Sequence, residues 1–116
     1  MTPRPGDCVV TIFRSRLRSD AEANGYTQLA DTLEHRARSM PGFVDFKTFS
    51  ADDGERVSIA VFDCEYHHNA WRDDPAHRAA QRRGGQEFYS EYSITVCHQT
   101  YQRTLTTRPQ PDPVER

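Results

Sequence analysis

Residues 67–81, HHNAWRDDPAHRAAQ, hold three histidines, two aspartates and the only tryptophan of the chain. Imidazole titrates near neutral pH, so it serves as a general base or a metal ligand. Tryptophan offers a broad apolar face on which a flat molecule can stack. A zinc or iron site needs three or four convergent ligands. His67 and His68 are adjacent, so on a helix they diverge by about 100°. Asp73 and Asp74 are better explained as caps at a helix break. No recognised ligand spacing emerges, and no metal is expected. Trp71 reads as helix-to-sheet packing, as a pocket wall, or as both. His77 reads as an exposed first-turn residue or as part of a pocket. Outside this stretch, Arg14 sits mid-strand among apolar neighbours, where a charge must find a partner, either a carboxylate of a second copy of the chain or an anionic ligand. His98, on a strand with Tyr92, Ile94 and Val96, is either a buried hydrogen-bonded residue or a polar group of a cavity.

Six segments must position these groups. Residues 8–18 are rich in β-branched side chains and predict a strand. Ser19-Asp20-Ala21-Glu22 fits a capping box, after which Tyr26, Leu29, Ala30, Leu33, Ala37 and Met40 recur at helical spacing. Pro41-Gly42 ends that helix. Residues 43–51 and 56–65 predict strands around an Asp-Asp-Gly-Glu turn. A short helix over 66–73 is followed by a second start, with Asp74 as cap and Pro75 at the first helical position, running to about Ser90. Residues 92–103 form the last strand. The order β-α-β-β-α-β is that of a ferredoxin-like α+β fold: a four-stranded antiparallel sheet with the helices on one face.

Both faces of that sheet are apolar. Val57, Ile59 and Val61 point one way, and Ala60, Phe62 and Cys64 the other; on the first strand Val10 and Ile12 oppose Val9, Phe13 and Leu17. Two helices cover only one side. The bare face therefore predicts a homodimer, with two sheets packing around a two-fold axis.

Composition narrows the partners. The formal net charge of −2 argues against nucleic acid, and no apolar run is long enough to span a membrane. Cys8, Cys64 and Cys97 are odd in number and sit in strand-like runs, which predicts free thiols and a cytoplasmic setting. The MTPRPGD start has no apolar signal core. Residues 1–7 and the proline-rich 104–116 read as tails around one domain, 8–103.

Three stretches, MPGF (40–43), AWRDDPAHRAAQRRG (70–84) and FYSEYSITVC (88–97), resemble the antibiotic-biosynthesis monooxygenase family of dimeric α/β barrels. The resemblance implies a cavity between helices and sheet. The haem-degrading branch would place an asparagine, a tryptophan and an iron-binding histidine at Ser15, Trp71 and Gln81. Glutamine does not replace imidazole on iron, so haem cleavage ranks last. The polyketide-oxidising branch would place an asparagine, a tryptophan and a tyrosine at Ser58, Phe62 and His68. What the resemblance implies is a monooxygenase-like activity without any cofactor, on a small aromatic or polyketide-type substrate. A non-oxygenase binding or cyclase-like role is the alternative. The residues expected to do chemistry are His68, Trp71 and His77. Substrate contacts are expected from Arg14, Phe62, Tyr66 and His98.

Overall fold

A computed structural model describes residues 7–107. Residues 1–6 and 108–116, the greater part of both expected tails, lie outside the described residues. In chain order the elements are β1 (Val9–Leu17), α1 (Tyr26–Arg38), β2 (Phe43–Ser50), β3 (Arg56–Phe62), α2 (Glu65–Arg72), α3 (Pro75–Arg83), a π-helical turn (Gly84–Phe88) and β4 (Tyr89–His98). The four strands form one antiparallel sheet in the order β2-β3-β1-β4. This is the expected ferredoxin-like α+β arrangement.

The first helix does not open at the serine–glutamate pair. Asp20 instead accepts from Nε and Nη2 of Arg18, at 2.9 and 2.8 Å, and residues 19–25 form successive turns. The helix starts after Gly25, whose φ of 92° only glycine adopts readily. Glu22 still serves the first turn, because its carboxylate accepts from the Thr27 backbone N–H and hydroxyl. Of the expected pair only Glu22 bonds the helix start, and the glycine break places that start at Tyr26.

The joint between α2 and α3 forms as the sequence indicated. The Asp74 carboxylate accepts the His77 backbone N–H at 3.2 Å, with Pro75 at the first helical position. The other Asp74 oxygen takes the Arg36 guanidinium of α1 at 2.6 Å. Asp74 is buried, and this Arg36 bond holds its carboxyl below the usual carboxylate range. One buried aspartate thus caps α3 and ties it to α1. The expected long final helix stops at Arg83, because Gly84-Gly85 has poor helix propensity and the chain widens into the π turn. β4 consequently starts at Tyr89 and ends at His98 rather than spanning 92–103.

The core cluster joins Phe62, Ala60, Trp71 and Ala37, with Met40, Phe43 and Phe46 packed against it. The Phe62 ring stacks on Trp71 at 5.1 Å and meets Phe43 edge-on at 5.9 Å. Val10, Ile12, Val57, Ile59 and Val61 alternate with the helix-facing residues and point to the opposite face of the sheet, where they are only partly buried.

Candidate functional site

Strand register sets the floor of a cavity. Cross-strand pairing aligns rows of side chains on the helix face: Thr11 with Ala60 and Val96, Phe13 with Ser58 and Ile94, Ser15 with Arg56 and Tyr92. Many of these are small: Thr11, Ser15, Ser58 and Ala60. The roof is the apolar stripe of α1, including Leu29, Ala30 and Leu33, together with residues of α2 and α3. Small side chains below a helix leave a void, and here it measures about 650 Å³. That is a normal size for a small-molecule site.

His68 and Trp71 lie three residues apart on α2, so they share its buried face. His68 is 3% exposed. Its Nδ1 meets Asn69 Oδ1 at 3.0 Å and its Nε2 meets Thr11 Oγ1 at 3.0 Å. An Nδ1–H donated to the amide oxygen leaves Nε2 to accept the Thr11 hydroxyl proton. Both nitrogens of His68 are therefore engaged within the protein.

His77 differs. Its ring lies 4.4 Å from the Trp71 ring, tilted by 32°. Its Nδ1 sits 3.4 Å from the Arg72 carbonyl oxygen, which can only accept, so this nitrogen carries the proton. Nε2 then holds the lone pair. Burial pushes the His77 pKa below the usual imidazole value, against the opposing pull of the Arg72 carbonyl and Asp74. The result is a neutral imidazole of fixed tautomer in the wall of an apolar cavity. At the other end, burial drives the Tyr89 phenol well above its usual range, so it stays protonated.

Asp63, Cys64 and His67 bring one potential ligand atom each within 4.8 Å of one another at the start of α2. The sequence reading weighed His67 against other partners and missed this set. His67 Nδ1 already bonds Asp63 Oδ1 at 2.7 Å and faces Cys64 Sγ at 3.4 Å, which accounts for the grouping.

The antibiotic biosynthesis monooxygenase model matches residues 8–83. The chain belongs to that family. Solved structures agree in fold. Rv0793 from Mycobacterium tuberculosis superposes with a TM-score of 0.72 at 19% identity, covering 84% of this chain and 99% of that one. SnoaB from Streptomyces nogalater, a cofactor-independent oxygenase, gives 0.65 at 20% identity, covering 85% and 97%. A conserved protein from Methanosarcina mazei Go1 gives 0.71 at 7% identity, covering 83% and 96%. Among curated proteins none matches.

Within this monooxygenase fold, His68, Trp71 and His77 come together on the cavity wall. The expected substrate contacts do not. Arg14 is an even-numbered β1 residue and points away from the helices, where Glu55 of the same chain takes its guanidinium through two 2.8 Å bonds. His98 lies at the sheet end beside Val9 and pairs with Glu65 at 3.4 Å, both largely exposed. Tyr66 is 79% exposed, on the outer side of α2. Phe62, fully buried, supports Trp71 from beneath and does not line the void. Lining residues that the sequence reading did not identify as site residues include Thr11, Tyr26, Arg56 and Tyr89. For Thr11 the signal was the small polar residues alternating on β1 and β3, and for Tyr26 its place on the apolar stripe of α1. No helix among the described residues is long and apolar enough to cross a membrane.

Proposed function

We propose that this chain is a cofactor-independent monooxygenase acting on a small aromatic or polyketide-type substrate. The observation that carries this reading is the His77 imidazole, its pKa lowered by burial and its Nε2 without a partner among the described residues, beside Trp71 in a largely apolar cavity. An electron-rich substrate stacks on the Trp71 face. His77 Nε2 removes an acidic proton from it as general base. The resulting anion reduces dioxygen, forming a carbon–oxygen bond and a peroxide that takes the proton back from His77. Loss of water breaks the oxygen–oxygen bond and leaves a new carbonyl. The apolar wall lowers the local dielectric and keeps the reactive anion from bulk water.

Oxygen uptake with an anthrone substrate is the test. Uptake of one dioxygen per carbonyl formed is expected. No uptake above buffer, with the anthrone demonstrably bound, overturns the reading. A binding or cyclase-like role is the second reading. It is favoured by Ser58, whose hydroxyl bonds that of Thr48 at 2.7 Å, and by Phe62 in the core, where the resemblance would place the asparagine and tryptophan of the oxidising branch. Turnover indifferent to oxygen would select it.

The same reading includes a homodimer in the cytoplasm. Val10, Ile12, Val57, Ile59 and Val61 form an apolar patch opposite the helices, and a second copy of the sheet is a self-complementary cover. A stable interface of this kind buries on the order of 1,600 Å². Three free cysteines fit a reducing compartment. Light scattering should return twice the 13.4 kDa chain mass at micromolar concentration; a folded particle of single-chain mass would refute the dimer.

A further inference from the structure

We propose that the end of the cavity at Arg56 is a carboxylate-binding subsite, so that the ligand is a fused aromatic carrying a carboxylate; this rests on the cavity being an aromatic site. Most described arginines reach a carboxylate, from Arg14 with Glu55 to Arg83 with Glu87. Arg56 reaches none. It lines the cavity, and its Nε is buried with no hydrogen-bond partner among the described residues. Its guanidinium carbon lies 5.6 Å from the centre of the Tyr26 ring.

A buried N–H with no acceptor is unfavourable, and on a cation more so. The neighbours do not relieve it. Glu55, next in sequence, is occupied by Arg14, and Glu34 on the α1 rim by Arg38. Directly across the sheet lie Ser15 and, beyond it, Tyr92. Ser15, the residue paired with Arg56 on β1, is buried and lines the same void. The arrangement is a cation over the Tyr26 ring, with Ser15 on the paired strand and no carboxylate partner among the described residues. A planar guanidinium matches a planar carboxylate in bidentate geometry.

Position fixes the ligand's length. Arg56 and Ala60 lie on the same face of β3 four residues apart, so their rows are about 13 Å distant along the strand. The Ala60 row includes Thr11, which bonds His68. A ligand that reaches both ends is a fused polycycle rather than a single ring, with its acid at Arg56 and its reacting carbon at the histidine end.

Trp71 is the only tryptophan, so its emission reports binding directly. The probes are anthracene-2-carboxylate and its neutral carboxamide. Wild type should bind the carboxylate about tenfold tighter than the amide, the scale of a charge-assisted pair. R56Q should erase that preference while leaving amide affinity unchanged, and R56K should keep part of it. R56M, checked by thermal melting, serves if R56Q misfolds. Equal affinity of wild type for the two probes overturns the subsite, as does an R56Q that weakens both alike. If neither probe binds, the aromatic cavity falls and the subsite with it. Carboxylate preference without oxygen uptake sinks only the oxygenase reading.

Discussion

Phe62→Ala lowers the unfolding free energy by about 3–5 kcal/mol, the range for deleting a fully buried ring. Phe62 has 0% of its surface exposed, and it supports three other rings: Trp71 at 5.1 Å, Phe43 at 5.9 Å and His68 at 6.5 Å. The loss combines the transfer of the ring with the cavity it leaves. Collapse is hindered because the neighbours on the other side already border a void. Urea unfolding followed by Trp71 emission measures it. The midpoint should fall with little change in slope, since the surface exposed on unfolding is nearly the same. A drop under about 1 kcal/mol would show that the ring stack does not carry the core. Because Trp71 loses its support, ligand affinity should fall in the same variant, and a second effect on binding separates this position from a remote core residue.

His77→Ala should reduce oxygen-dependent turnover by about 10²–10⁴-fold, the usual contribution of a positioned general base. His68→Ala should be milder in chemistry, since both its nitrogens are engaged, to Thr11 and Asn69. The pH profile carries the sharper test. The working form of His77 is neutral, and burial lowers its pKa. Activity should therefore persist as pH falls through the ordinary imidazole value of about 6.5, with the acid limb below it. An acid limb at or above that value assigns the base to another group. Stability follows the same sign. The unfolded chain takes up the His77 proton near its ordinary pKa, while the folded chain resists it. Folding stability is thus complete above that value and declines as pH falls toward the lower folded pKa. His77→Gln, which cannot be protonated, should flatten this part of the stability profile.

How much of this was legible beforehand depends on the range of the interaction. The break at Asp73-Asp74-Pro75 was readable because a cap and a proline act within one helical turn, and the structure has Asp74 on the His77 N–H. The start of α1 was misplaced by the same local logic. Glu22 accepts the Thr27 N–H, but Gly25 with its positive φ is the residue that admits the helix. Ser19–Glu22 therefore marks the turn before it. The two-sided apolar strands were likewise visible as alternation, and they define which residues sit under the helices.

Site residues were less accessible. Arg14 was read as a charge in search of an anion, and its anion turned out to be Glu55, 41 residues away, brought opposite by the β1–β3 register. Arg56, unremarkable in the sequence, is the arginine that ends in the cavity without a carboxylate.

The sequence by itself determined the element order, the helix joint and the placing of Trp71, His68 and His77 near one another, because each rests on contacts within a turn or on strict periodicity; the family was legible through the resemblance of residues 40–43, 70–84 and 88–97. Only the tertiary structure decided that a void of about 650 Å³ separates helices from sheet, that His77 Nε2 has no partner among the described residues while both His68 nitrogens do, and that Arg56 faces inward. Those outcomes depend on side-chain volumes and hydrogen-bond partners supplied across strands by residues far apart in the chain, and no local pattern encodes which partner arrives.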